Sequence, residues 1–192
     1  MPLPPPHDIT SIIKADKNNF KKNIKYNIGW LELDGIDNPK DDLRYRAAKK
    51  GAAIFARPEG MWYDNNYIYF TCTTGGIKKI GQVWKINLAD QTMEMIFESY
   101  NSSIMKKCDN ITIAPWGDVI ICEDGKGKDR LIGLKQDGST YVIAENFLNN
   151  AEFAGVNFAP DGKTLFVITG KSSIPSFKLC LSSLDWILGN CF

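Results

Sequence analysis

The sequence of 192 residues contains a single histidine, His7, which lies in the proline-rich stretch MPLPPPHD. A histidine-based zinc site, a Ser-His-Asp triad and a Cys-His dyad each need a well-placed histidine. We interpret His7 as a bystander, because chain termini are commonly frayed. Any catalytic chemistry is therefore expected to depend on carboxylates, arginine, lysine or cysteine.

The cysteines also lack a spacing typical of metal binding or of a disulfide framework. The five of them form no CxxC pair and their number is odd. A zinc site or a dense disulfide framework is therefore not expected. Cys72 and Cys122 lie inside apolar, strand-like runs, and we interpret them as small buried hydrophobic residues.

The sequence lacks an excess of charge, a signal peptide and a long apolar run. The formal net charge is +1, which gives no electrostatic reason to expect a nucleic acid or an anionic membrane as partner. The first residues have no basic segment followed by an apolar one. No run of about 18 apolar residues is present, so no membrane span is expected. The chain is expected either to stay in the cytosol or to have lost a natural N-terminus.

Short β runs dominate the chain from Glu59 onward. They are rich in Ile, Val, Tyr, Phe and Thr and are separated by turn residues, which is typical of an all-β protein. Residues 1–29 are polar, and we predict a loosely ordered leader there. The segment DDLRYRAAKKGA predicts one short helix, with Asp41 and Asp42 at its start and Gly51 at its end.

Three segments repeat one pattern: EGMWYDNNYIYFTCTTGG, DNITIAPWGDVIICEDGK and FAGVNFAPDGKTLFVITG. Their turns begin at Asn65, Trp116 and Asp161, and a four-strand unit repeating at about 40 to 50 residues is typical of a β-propeller blade. The sequence predicts a partial β-propeller of about three blades over residues 30–168, followed by a divergent tail over 169–192. An irregular β-sandwich is the alternative that strand spacing alone allows.

Acidic residues recur at the starts of these units. Glu59, close to Arg57, precedes the first strand of one unit, Asp109 and Asn110 stand at the same place in the next, and Glu152 precedes the third. We expect these lead-ins to approach the propeller axis, where converging oxygen ligands suit Ca²⁺. The alternative is that the acids are turn formers or solvated loop residues.

The triplet Arg57-Pro58-Glu59 predicts a local geometry. Pro58 should hold Arg57 in an extended conformation, so that Arg57 and Glu59 point the same way. A guanidinium there could bind an anion that also contacts the metal, and it matches phosphate bidentately. Glu123 and Asp124 follow the second strand of their unit.

Five motifs carry a resemblance to a known family: RAAKKGAAIFARPEGMWY, GQVWKINL, CDNITIAPWGDVIICEDG, DRLIGLKQDG and NNAEFAGVNFAPDGKTLFV. They span about residues 30 to 167. With them the chain resembles the PhoX-type alkaline phosphatases, which are metal-dependent phosphatases on a six-bladed propeller.

The resemblance implies hydrolysis of phosphomonoesters at a central cluster of calcium and iron ions. It implies that Arg57 holds the substrate phosphate. It also implies metal ligands among Glu59, Asp109 with the neighbouring Asn110, and Glu152. Glu123 would support the site or ligate metal.

The chain also departs from the family pattern. The family has a longer N-terminal half with further blades and an iron-binding cysteine, and it is exported. After Val167 the sequence no longer follows the family pattern, which suggests a shifted reading frame or a truncated copy. We therefore expect an incomplete phosphatase.

Two other functions stay open at this stage. One is a non-catalytic propeller fragment that binds calcium, self-associates or assembles with a second chain that supplies the missing half. The other is a six-bladed sugar-lactone hydrolase, against which the RPEG and CEDG segments argue.

Overall fold

A computed structural model describes residues 20–37, 39–147 and 150–169, and the backbone of Phe177–Leu181. Within this part the chain is mostly β, with one short helix. The elements are β1 (Lys25–Asn27), α1 (Leu43–Lys49), β2 (Pro58–Asp64), β3 (Tyr67–Cys72), β4 (Gln82–Asn87), β5 (Thr92–Glu98), β6 (Cys108–Ile113), β7 (Val119–Glu123), β8 (Arg130–Leu134), β9 (Thr140–Glu145), β10 (Phe153–Phe158), β11 (Leu165–Thr169) and β12 (Phe177–Leu181).

The described strands form three antiparallel sheets that follow one another along the chain. The first sheet has the order β1-β5-β4-β3-β2, the second β6-β7-β8-β9 and the third β10-β11-β12. Apart from β1, each strand pairs with its neighbour in sequence, as in the blades of a propeller. The expected all-β, propeller-like class is confirmed, whereas the number of blades stays a prediction.

Strand β7 of the second sheet is buried on both of its faces. All five residues of β7 are buried, and alternate side chains of a strand point to opposite faces. Ile121 therefore joins the core against the first sheet, while Ile120 and Cys122 join the core against the third. This double burial explains why the strand reads as the continuous apolar run VIIC. Cys72 and Cys122 are buried and free, as expected.

Helix α1 ends as the sequence predicts. Gly51 has φ of 94°, its N–H donates to the carbonyl of Ala48 at 3.0 Å, and the N–H of Ala52 donates to Ala47 at 2.9 Å. These two bonds form a Schellman motif, which favours glycine at the left-handed position. At the other end, Asp42 makes no side-chain cap bond. No helix among the described residues is long and apolar enough to cross a membrane.

The predicted leader and tail each contain a strand. Residues 1–19, with His7, lie outside the described part, but Lys25–Asn27 form β1 on the edge of β5. The apolar side chains of Phe20 and Ile28 explain why this segment is ordered, since both pack against the face of the first sheet that is turned away from the second sheet. In the tail, the backbone of Phe177–Leu181 pairs with β11. The rest of the tail lies outside the described residues, and the domain boundaries stay predictions.

One strand of each sheet, namely β2, β6 or β10, carries a bulge near its start. The register shifts between residues 58 and 61, between 108 and 111, and between 154 and 157. In each case two residues leave the regular ladder, and bulges of this kind re-aim side chains next to functional sites. Glu59 and Asp109 are the first bulged residues of their sheets.

Gly60 sets the distance between the first and second sheets at these bulges. A Cβ there would lie 2.3 Å from the carbonyl oxygen of Asp109. The hydroxyl oxygen of Thr71 accepts the N–H of Gly60 at 3.0 Å, and the same hydroxyl donates to the carbonyl of Asp109 at 2.7 Å. Only a glycine allows this close approach.

We expect Gly60→Ala to destabilise the chain by about 3 kcal/mol, because the new methyl group meets backbone that cannot move aside. In a thermal melt this corresponds to a fall of roughly 6–12 °C for a chain of this size. The matched control is Gly35→Ala, since Gly35 has open space around its Cβ position and only a positive φ. That control should cost about 1 kcal/mol. Equal losses in the two variants would contradict the close-packing account.

Candidate active site

Three carboxylates from the second and third sheets converge at one end of the fold. Asp109 lies in the bulge of β6, Asp124 directly follows β7, and Glu152 directly precedes β10. One oxygen from each lies within 4.8 Å of the others. We refer to Asp109, Asp124 and Glu152 as the acidic triad.

Arg57 lies beside the triad and links it to Glu59. Its Nε donates to Oε1 of Glu59 at 2.8 Å, and its Nη2 donates to Oδ2 of Asp124 at 3.3 Å. The Arg57 side chain remains 48% exposed, so a dissolved anion can reach it. Arg57 and Glu59 of the RPEG motif are thus hydrogen-bonded to each other.

The predicted backbone of Arg57 is wrong. Its φ is 55°, in the left-handed region rather than the extended one. The carbonyl of Arg57 accepts the N–H of Thr73 at 3.0 Å, and this tertiary bond outweighs the local preference imposed by Pro58. Lys107, which precedes the second bulge, has φ of 48°, and its carbonyl accepts the N–H of Asp124 at 2.9 Å. A residue in the left-handed conformation thus precedes the bulge in both β2 and β6.

Glu152 reaches the triad from a different position of the repeat than the sequence comparison suggested. In the register of the three bulges, the residue that corresponds to Glu59 and Asp109 is Gly155. Glu152 lies three residues earlier, before the strand begins. The triad therefore does not follow from strict repetition, and the third sheet supplies its carboxylate from the lead-in.

Asn110 and Glu123 lie outside the triad. The Oδ1 of Asn110 accepts the N–H of Val156 at 2.9 Å, which ties β6 to β10. Glu123 is fully buried and binds the guanidinium of Arg130 at 2.7 and 2.8 Å. It also accepts the backbone N–H of Lys106 at 2.7 Å. This arrangement supports a structural role for Glu123 and not ligation.

Asp124 was noticed in the sequence but not assigned to the site. Strand alternation was the signal that could have selected it over Glu123. Cys122 faces the third sheet, so the residue two positions later continues on the side where Glu152 lies. The acidic pair Glu123-Asp124 thus divides into one buried structural residue and one site residue.

The site carries more negative charge than its one guanidinium balances. Burial raises the pKa of Asp109, and the charges of Glu59 and Asp124 raise it further while Arg57 opposes them. Burial also raises the pKa of Glu152, followed by the charge of Asp124, a hydrogen bond with it, and the charge of Asp109. Crowded carboxylate oxygens are the donor set of a hard divalent cation such as Ca²⁺.

The same donor set does not fit iron bound by a thiolate. The three cysteines with described side chains are buried. Burial raises the pKa of Cys72 and of Cys122 to about 12 and raises that of Cys108 as well. None of these thiols belongs to the triad, so we assign no described residue to iron.

The sequence of the chain matches one known protein family over most of its length. The profile of the alkaline phosphatase PhoX family matches residues 13–170. The chain belongs to the PhoX family of alkaline phosphatases, and the resemblance drawn from its motifs is confirmed.

A solved structure supports the fold. The chain is similar to the PhoX protein of Pseudomonas fluorescens, whose structure contains vanadate, a transition state analogue. The TM-score is 0.60 with 18% sequence identity over 74% of this chain. The chain spans 36% of the length of that protein. A comparison with curated proteins finds no match.

We expect Ca²⁺ to raise the melting temperature of the chain by roughly 5–11 °C when present at about 100 times its Kd, since binding then adds about 2.7 kcal/mol. Glu152→Gln should remove most of this shift, because it replaces a charged carboxylate ligand with a neutral amide oxygen. The control is Asp161→Asn, an acid of the third sheet that serves a hairpin turn and accepts the N–H of Lys163. A shift that survives undiminished in Glu152→Gln would place the cation elsewhere.

Without metal, the raised pKa of Glu152 makes the folded chain bind its proton more tightly than the unfolded chain does. This contribution to stability is present below about pH 4 and is lost as the pH rises through the raised pKa. In chelator, Glu152→Gln should therefore gain melting temperature relative to the unaltered chain as the pH rises from about 4 to 7. Saturating Ca²⁺ should reverse the order at neutral pH. A difference that does not change with pH would contradict the crowding of charge.

Proposed function

We propose that the protein is a metal-dependent phosphomonoesterase of the PhoX type, with the acidic triad and Arg57 as parts of its active site. The observation that carries the proposal is the triad itself. Three carboxylates with oxygens within 4.8 Å of one another stand next to a guanidinium, in a chain that belongs to a phosphatase family.

We assign the triad to Ca²⁺. Burial, together with the charges of neighbouring acids, raises the pKa values of two of its three carboxyls, so a bound divalent ion would stabilise their charged forms. When bound, such an ion polarises phosphoryl oxygens as a Lewis acid. Glu59 and Asn110, which the resemblance also implies as ligands, contribute by orienting Arg57 and by joining β6 to β10 respectively.

Arg57 is assigned to the phosphate. Its hydrogen bond with Glu59 raises the pKa of the guanidinium, which therefore stays charged at all working pH values. Glu59 fixes the Nε edge, and a guanidinium held in this way presents its other N–H groups in a rigid fork that matches phosphate oxygens. Because Asp124 contacts Arg57 and also belongs to the triad, an anion on Arg57 would lie close to the cation. Arg57 would then neutralise charge on the phosphoryl group in the transition state.

A second candidate is a calcium-binding propeller module without turnover that assembles with another chain. Two observations favour it. The chain spans 36% of the similar PhoX structure, and in the third sheet Phe166 and Ile168 are 43% and 41% exposed. The outer face of the first sheet differs, because Phe20, Ile28 and Phe55 of the same chain cover it. The family match does not favour the sugar-lactone hydrolase.

The direct test is hydrolysis of p-nitrophenyl phosphate by the full chain with Ca²⁺ and with chelator. We expect Ca²⁺-dependent turnover that Arg57→Lys lowers by about 10²–10³-fold, because lysine keeps the charge but loses the fork. The matched control is Arg44→Lys, an exposed arginine of α1 that pairs with Asp41. It should retain full activity.

The outcomes separate the two candidates. Ca²⁺-dependent turnover lost in Arg57→Lys supports the phosphatase. A chain that binds Ca²⁺ at the triad but does not hydrolyse p-nitrophenyl phosphate supports the non-catalytic module. Turnover that is equal in Arg57→Lys and the unaltered chain would contradict the assignment of Arg57.

A further inference from the structure

We propose that a buried ion pair, Lys106 with Asp129, positions two of the three triad carboxylates for the cation. The inference rests on the proposed function and concerns two residues to which the sequence analysis assigns no role in the site. Nζ of Lys106 lies 3.0 Å from Oδ1 of Asp129, and the two side chains are only 15% and 2% exposed. We call this pair the Lys106–Asp129 brace.

The brace holds the loop that begins with Asp124. Lys106 also donates from Nζ to the carbonyls of Lys126 at 2.9 Å and Lys128 at 2.8 Å. Asp129 accepts the N–H of Gly125 at 2.9 Å. The stem of Lys106 fills the space beside Gly125, where an added Cβ would lie 2.7 Å from Cδ of Lys106. The residue directly after Asp124 is thus fixed from both sides.

The brace also reaches the residue before Glu152. The carbonyl of Asp129 accepts the N–H of Asn146 at 2.9 Å. The side-chain amide of Asn146 in turn donates to the carbonyl of Ala151 at 2.7 Å, and this bond is buried. A continuous path of hydrogen bonds therefore joins the loop of Asp124 to the lead-in of Glu152, although these segments belong to different sheets.

Geometry and charge predict opposite effects for the removal of Lys106. A buried ion pair contributes little net stability compared with apolar residues of similar size, so its value here is the placement of its neighbours. Lys106 is positive, and its loss would leave Asp129 as an extra negative charge near the triad. If charge alone mattered, Ca²⁺ would bind more tightly. If positioning matters, binding weakens, since loss of residues that orient metal ligands typically costs about 10–100-fold in affinity.

The test is calorimetric titration of Ca²⁺ into the full chain, below the melting temperature of every variant. We expect Lys106→Met to raise the Kd by about 10–100-fold and Lys106→Arg to restore much of the affinity. Asp129→Asn should also weaken binding. The control is Glu98→Gln, a buried carboxylate of the first sheet that accepts the N–H of Ile77. It should lose stability without a change in Kd.

A Kd for Lys106→Met equal to or below that of the unaltered chain would overturn the inference and leave the metal site intact. If Lys106→Met does not fold, Asn146→Ala decides by the same criterion, because it removes the hydrogen bond to Ala151 without changing the charge near the triad. If the unaltered chain binds no Ca²⁺, the proposed metal site itself is refuted, and the positioning role is refuted with it.

Discussion

The close approach of successive sheets at their bulges is the constraint on which the site depends. Gly60 lets β2 contact the backbone of β6, and the hydroxyl of Thr71 bridges the two strands by hydrogen bonds to both. Strand β7 is buried on both of its faces, so it cannot shift to relieve charge at its end. Carboxylates that would separate in a flexible loop are therefore held together, and the folded chain accepts raised pKa values for Asp109 and Glu152.

This conflict between packing and charge suggests how stability and function are divided in the molecule. The apolar cores between sheets supply the stability, whereas the end of the fold that carries the triad has crowded acids and left-handed residues such as Arg57 and Lys107. Such local costs persist where the surrounding structure enforces them, and they cluster at functional sites. Buried ion pairs around Glu123 and Asp129 surround the triad and satisfy its neighbours. In this view the cation completes a site that the fold has already organised.

Much of the fold followed from sequence, because it rests on short-range chemistry. The β runs and the Gly51 helix end are local patterns, and the structure contains them. The details of the site depend on long-range packing and were therefore harder to predict from the sequence. The bulge register aligns Gly155 with Glu59, so the sequence comparison was wrong to give Glu152 the position equivalent to Glu59. Glu152 joins the triad from a position three residues earlier. Strand parity separates Asp124 from Glu123, but parity is secure only when the buried faces are known. The φ of Arg57 is set by a bond to Thr73, which no local rule contains.

A crystal structure of the chain with Tb³⁺ in place of Ca²⁺ would show whether the triad binds a cation, because anomalous scattering locates the ion. We expect one strong peak at roughly 2.3–2.6 Å from oxygens of Asp109, Asp124 and Glu152, the range expected for calcium-type coordination. Glu123 should remain paired with Arg130. An ion bound elsewhere, or a triad that stays empty while its carboxyls pair with lysine or arginine, would contradict the assignment of this site to a cation.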